Sequence, residues 1–306
     1  MKRNVDVSGL LNVILNCILD IGFGLGVVGV AIGTIASQAL SAILVLITLF
    51  KGDGPLKLDL KHLSPKWRSI GKILRIGIPT GIESGLFATS NVIMQSSVNL
   101  FGSSAIAGNT AASSVGELCY WSMHSFGEAT MTFVGQNYGA KKPDRVVRVF
   151  GLSVLCVFII GLTVGNGCYL LRNVLVPIFV KEDNAAAFNE ILYTANLRLL
   201  YVCVPYFFCG IMDVLSSTLR GVGKSVMPMI MSILGSCAFR VIYVFTVFRP
   251  AFDRISASGG DMHEAMNTLF FVWPASWVVT ILLLAPCVFF VLKRVKKDFG
   301  AVAPAN

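Results

Sequence analysis

Five carboxylates stand inside stretches otherwise apolar enough for lipid: Asp20, Glu83, Glu117, Glu128 and Asp213, accompanied by His124, Arg198 and Arg240. An ionised side chain at the centre of a bilayer costs on the order of 2.5–3.5 kcal/mol even on the lenient insertion scale, so such a group normally faces protein or a water-filled cavity. A carboxylate held there can take up and release a small cation. Counted at ~1.5 Å per residue from the basic end of each segment, Glu83, Glu128 and Asp213 all lie at roughly 10 Å, the placement expected of one shared cation-coupling cavity.

The polar residues around these acids are spaced for helices. Tyr206, Gly210, Asp213, Ser217 and Arg220 follow one helical face, and Ser232, Ser236, Arg240 and Tyr243 follow another on the next segment. Asn91 and Gln95, four residues apart, share a face of the segment that carries Glu83. Asn91, Gln95, Tyr206 and Arg240 are therefore the expected lining of a substrate cavity beside the acids. An Asp213–Arg240 ion pair would offset both charges, although their backbones differ in depth by roughly 10 Å and only the long arginine side chain could span that gap. His124 shares a face with Glu117 and Glu128, a spacing that suits a proton relay; the plainer alternative is a histidine hydrogen-bonded in place. Tyr120, Trp121 and Phe126 offer rings either for cation–π contact or for helix packing.

These side chains need long apolar elements to hold them. Of 306 residues 55% are hydrophobic and 13% charged, with a mean hydropathy of +0.75, where an ordinary soluble domain is about a quarter charged. Runs long enough to span a bilayer occupy 7–22, 27–50, 75–100, 105–135, 149–171, 191–219, 225–248 and 267–292. The fold class expected is an all-α polytopic membrane protein with about eight transmembrane helices. Nineteen of the 25 basic residues fall before the first run, at alternate connections or in the tail, against four at the intervening connections. By the positive-inside rule both termini are cytoplasmic. The net charge of +9 is then a topology signal, and the expected partner is the lipid bilayer, with no nucleic acid. The domain boundaries that follow are a two-helix N-terminal remnant at 1–50, a cytoplasmic linker at 51–74, a six-helix lobe at 75–292 and a cytoplasmic tail at 293–306.

Two motifs imitate nucleotide binding and fail. Gly24, Gly26 and Gly29 in GFGLGVVGVAIG fit G-x-G-x-x-G, with Asp53 placed for a ribose, but Gly26 opens a stretch to Leu49 without a charge, which no βαβ unit requires. Gly22, Gly24 and Gly26 read instead as a short external turn, and Gly29 with Gly33 as a G-x-x-x-G packing face. GVGKS at 221–225 lacks the first glycine of a phosphate loop, since position 218 is Thr218. The eight cysteines form no C-x-x-C and lie in apolar runs, so they read as small buried hydrophobes. No catalytic motif, organic cofactor or structural metal site is expected, and the chain is not expected to be an enzyme.

TMTFVGQNYGAKKPDRVVR at 130–148, LRGVGKSVMP at 219–228, RIGIPTGIES at 75–84, AIAG at 105–108, and LLNVILNCILD followed by GVVGVAIGTIASQ within 10–38 occur in that order. Together they resemble the multidrug and toxic compound extrusion (MATE) family. The resemblance implies two six-helix lobes related by pseudo-twofold symmetry and exchange of Na+ or H+ for organic compounds, here small organic cations because the buried ionisable groups lean acidic. It aligns this chain with the last two helices of the first lobe and all of the second, leaving no counterpart for the first four helices or for the first-helix aspartate that binds a cation in several members. It places Asp213 and Glu83 on helices that carry the family's coupling acids, with Glu83 nearer the Gly-Ile-Pro turn than usual. The implied function is a secondary active antiporter for multidrug efflux in the cell membrane, in a truncated form or completed by a partner chain supplying the missing lobe. A lipid-linked glycan flippase of related architecture, which would want a cationic cavity, and a non-transporting membrane interaction protein are the alternatives.

Overall fold

The computed structural model describes residues 2–51, 67–180 and 184–300, and these are helical with short turns and no strand among them. They fall into two compact units, Met1–Ser69 and Ile70–Asn306. In the first, α1 (Lys2–Asn16) continues as a π-helical turn, Cys17–Gly22, and the chain returns as α2 (Gly26–Lys51). Gly24 and Gly26 hold φ of 65° and 54°, a region other residues resist, which makes the reversal tight. Gly29 and Gly33 are the contact face of α2: a methyl on Gly29 would lie 3.0 Å from the backbone of Leu19, and one on Gly33 would lie 3.3 Å from Leu15 Cβ. Asn12 donates across this interface to Ser37 at 3.1 Å. The glycines that resembled a phosphate cradle are thus a helix-packing surface.

Residues 52–66 of the expected linker, with Asp53, Lys57, Lys61 and Lys66, lie outside the described residues, as do Lys181 and tail residues 301–306. The last positions assigned to the linker are helical, because α3 runs from Trp67 to Val98. From Ile70 onward the second unit contains α3, α4 (Ser103–Gly139), α5 (Pro143–Leu170), the short α6 (Arg172–Ile178), α7 (Ala185–Val202) and α8 (Tyr206–Gly221). α9 (Val226–Ser258) and α10 (Met262–Phe299) complete it. All eight apolar runs are helices. α7 and α8 form one expected run bent by 45° next to Pro205, whose ring cannot continue the backbone hydrogen bonds.

Among the described residues α2, α5, α9 and α10 are each long and apolar enough to cross a bilayer, and the bent α7–α8 pair is a fifth candidate. α3 and α4 have the length, 32 and 37 residues, but are diluted by the polar side chains they turn inward. Phe289, Phe290, Leu282 and Ile242 are all at least 60% exposed, which suits a hydrocarbon surround and not water. With the described residues helical and no strand edge among them, the architecture meets the bilayer's requirement: the protein is an all-α polytopic membrane protein.

The two signature motifs are helix-to-helix turns. After α4, Ala140 N–H donates to Gln136 O and Lys142 N–H to Asn137 O, both at 3.0 Å, before Pro143 opens α5. After α8, Gly223 takes φ 81° and Lys224 N–H donates to Leu219 O at 2.9 Å. These turns sit side by side, since a methyl on Gly135 would touch Gly221 O at 3.4 Å. The C-terminal end of α10 reaches the same end of this unit, with Lys296 Nζ 3.5 Å from Asp144. Three of the basic clusters counted in the sequence are therefore neighbours in space.

Candidate functional site

Helices α3, α4, α7, α8, α9 and α10 enclose a cavity of about 800 Å3 within the second unit. Its wall includes Glu83, Asn91, Glu128, Tyr206, Asp213 and Arg240. Gln95, the remaining candidate, lines an adjoining pocket of about 300 Å3 together with Asn91 and Arg198. The polar stripes explain this convergence. Tyr206, Gly210 and Ser217 are buried on the same face of α8 that carries Asp213, and the α9 stripe is bonded to α10 through Ser236–Thr280 at 2.9 Å and Tyr243–Thr268 O at 2.9 Å.

One part of the wall is an acid–imidazole cluster. His124 Nδ1 lies 3.4 Å from Asp213 Oδ2, and its Nε2 lies 3.9 Å from Glu128 Oε1. Tyr120 stacks on the imidazole with centroids 5.4 Å apart and planes 10° apart. Gly127 makes the approach of α8 possible, because a methyl there would fall 2.7 Å from Asp213 Cγ. The histidine thus joins acids on two helices, with Asp213 in the position the sequence spacing offered to Glu117. Glu117 also lines the cavity, whereas Asp20 is exposed in the first unit.

Two expectations about charge change. Glu83 Oε2 accepts from Arg220 Nη2 at 2.6 Å, with both side chains largely buried. Arg220 stands at the basic turn after α8, one of the nineteen basic residues that mark the cytoplasmic side, yet it is also the last member of the Asp213 stripe, and its length carries the guanidinium inward. Arg240 does not pair with Asp213. It donates from Nε to Ser276 Oγ at 3.0 Å and from Nη1 to Asn91 Oδ1 at 3.4 Å, as its deeper position on α9 requires. The cavity wall consequently carries four carboxylates and three arginines, close to balance, where the sequence count set five acids against two arginines.

Sequence reasoning also missed the neighbours of Arg198. This residue donates to Asn109 Oδ1 and stands over the Trp273 ring at 5.2 Å. Asn109 is the one large polar side chain in the run AIAGNTAA, the signal that could have marked it. Among the described residues no group of three or more His, Cys, Asp and Glu side chains is arranged to hold a metal ion.

Residues 79–246 match the family model MatE. The chain belongs to the MatE family. It is 28% identical over 251 residues to the probable multidrug resistance protein NorM of Thermotoga maritima, covering 79% of this chain and 52% of that protein. It is 26% identical over 298 residues to the probable multidrug resistance protein YoeA of Bacillus subtilis, covering 94% of this chain and 60% of the relative. Among solved structures, the outward-facing conformation of a multidrug resistance MATE family transporter superposes with a TM-score of 0.75 at 19% identity, over 95% of this chain and 61% of that one. The Vibrio cholerae MATE transporter VcmN in its bent form gives 0.73 at 18%, so the likeness to both is one of fold. The MatE chain described here spans a little over half the length of these relatives, and the family expected from the turn motifs is the family found.

Proposed function

We propose that this MatE chain forms the ion-coupled part of a secondary active antiporter that exports organic compounds, cations among them, across the cell membrane in exchange for Na+ or H+. The observation that carries the reading is the apposition of His124 and Asp213 at 3.4 Å on the wall of an 800 Å3 cavity, a volume suited to a drug-sized molecule. Its relatives' names, multidrug resistance and multidrug export proteins, support efflux as the direction.

The mechanism follows from charge. A cation taken up at the Asp213–His124–Glu128 cluster cancels negative charge that an organic cation would otherwise find there, so the two compete. A bundle with inward-open and outward-open states then exchanges one for the other across the membrane. Tyr120, on the cavity wall, gives the cargo a ring face beside the acids. Between the two ions the imidazole favours the proton, because hard metal cations seek oxygen ligands and here a nitrogen lies against the carboxylate. Glu83 contributes to coupling by exchanging Arg220 for the incoming cation. Asn91, Gln95, Tyr206 and Arg240 line the path of the cargo. The gathered basic ends of α4, α8 and α10 face the cytoplasm, the other lobe is supplied by a partner chain or by further sequence, and no organic cofactor is needed.

The test is efflux of a cationic dye from vesicles holding the chain with whatever supplies that lobe, under an imposed pH or Na+ gradient. Gradient-driven efflux abolished by Asp213→Asn supports the antiporter; dye that leaves no faster than from empty vesicles returns the chain to the non-transporting interaction protein. The glycan flippase reading wants a cationic cavity, and a wall with four carboxylates beside three arginines is not one.

A further inference from the structure

Among the described residues no carboxylate meets Arg198 or Arg240, two guanidinium groups of the cavity. Among the described residues the ion pairs at this site join His124 to the acids and Arg220 to Glu83. Arg240 is only 4% exposed, yet its bonds go to the neutral oxygens of Ser276 and Asn91. Arg198 donates to Asn109, whose amide donates to Gln95 at 2.8 Å, whose amide donates in turn to Asn99 at 3.1 Å. Every dipole in that chain turns its oxygen end toward the guanidinium, so the charge is solvated but not cancelled. A positive charge removed from water without a counter-charge is costly and attracts an anion strongly in a low dielectric.

Both groups line the 800 Å3 cavity, and Arg198 also borders the adjoining 300 Å3 pocket, with Asn91, Asn109, Ser113 and Trp273. Asn91, which Arg240 holds, also borders the large cavity. We propose that Arg198 and Arg240 form an anion subsite that receives the carboxylate of an amphoteric cargo, whose ammonium group is directed to Asp213 and Glu128 on the same cavity wall. The inference rests on the transport reading above and adds the substrate class. A guanidinium offers a carboxylate two parallel N–H donors, a fit that neutral oxygens cannot replace.

The experiment compares two dyes on the detergent-solubilised full chain by fluorescence anisotropy: an amphoteric rhodamine with a free carboxylate, and the methyl ester of the same dye, which is a plain cation. The wild-type chain is expected to bind the carboxylate dye at least tenfold more tightly than the ester. Arg198→Gln and Arg240→Gln are each expected to weaken the carboxylate dye at least tenfold and to tighten the ester, because a repelling charge is gone. Arg198→Lys keeps part of the preference. A merely structural defect weakens both dyes together, and that result, or equal binding of the two dyes by the wild-type chain, overturns the subsite. Loss of the preference when sodium chloride replaces sodium gluconate marks a site for inorganic anions and overturns its assignment to cargo. Failure of both dyes to bind, with whatever supplies the other lobe also present, overturns the transport reading as well, whereas ester binding that depends on Asp213 without a carboxylate preference overturns the subsite alone.

Discussion

Glu83 and Arg220 form a buried ion pair across α3 and α8, Oε2 to Nη2 at 2.6 Å. Removing one partner of such a pair leaves the other charge buried alone, at a cost of about 3–5 kcal/mol, whereas replacing both by apolar residues of similar volume is often neutral. Glu83→Gln is therefore expected to lower the unfolding temperature of the solubilised chain markedly, and Glu83→Gln combined with Arg220→Met to restore most of it. Thermal unfolding of the single and double variants checks this. Equal destabilisation by both would show that the pair is not the source.

Gly127 sets the distance between α4 and the Asp213 carboxylate. A methyl at this position would meet Asp213 Cγ at 2.7 Å, closer than side-chain carbons come, so Gly127→Ala must push the carboxylate off the imidazole. Gradient-driven dye efflux is expected to fall at least tenfold. Gly151, on α5, away from the cavity wall and with open space around its Cα, is the control, and Gly151→Ala should change efflux less than twofold.

His124 bridges Asp213 and Glu128. If it carries the coupling proton, His124→Gln keeps a polar side chain but removes the titrating group. The expected result is loss of the acceleration that a pH gradient gives to efflux, with the maximal rate falling far more than KM rises. Efflux by this variant that still rises with the pH gradient as in the wild type would assign the proton elsewhere.

Lys141, in the turn between α4 and α5, is the one non-glycine residue with positive φ among those described, at 54°. The left-handed region costs a side-chain-bearing residue roughly 1–2 kcal/mol. Lys141→Gly should accordingly stabilise the chain by about 1 kcal/mol, partly offset by the greater freedom of glycine when unfolded. Denaturant unfolding measures the difference, and transport should be unaffected because the residue is remote from the cavity.

What the sequence made legible was governed by local physics. Apolar runs and the basic residues at their ends located the helices, and the GQNYGAKKP and GVGKS turns follow from glycine, proline and the ends of apolar runs. The 3.6-residue period brought Tyr206, Asp213 and Arg220 to one face of α8, and the cavity lies on that face. Which groups meet across helices was not legible, because it depends on rotation and depth of separate elements. Arg220 could turn to lipid headgroups or to Glu83 from the same backbone position, and sequence spacing is silent between them. The partners of Arg198 were hidden for the same reason: Asn109 lies 89 positions away, and no periodicity relates the two. The shift from an acidic to a nearly balanced cavity wall came from these cross-helix arrangements alone.

Cargo and proton compete at Asp213 and His124 in the proposed exchange, and proton release on cargo binding measures that competition most directly. A cationic dye added to the solubilised chain in weakly buffered solution, with a pH indicator present, is expected to release protons as it binds, and Asp213→Asn is expected to abolish that release. Dye that binds the wild-type chain without releasing a proton, or that releases as many from Asp213→Asn, would contradict the account.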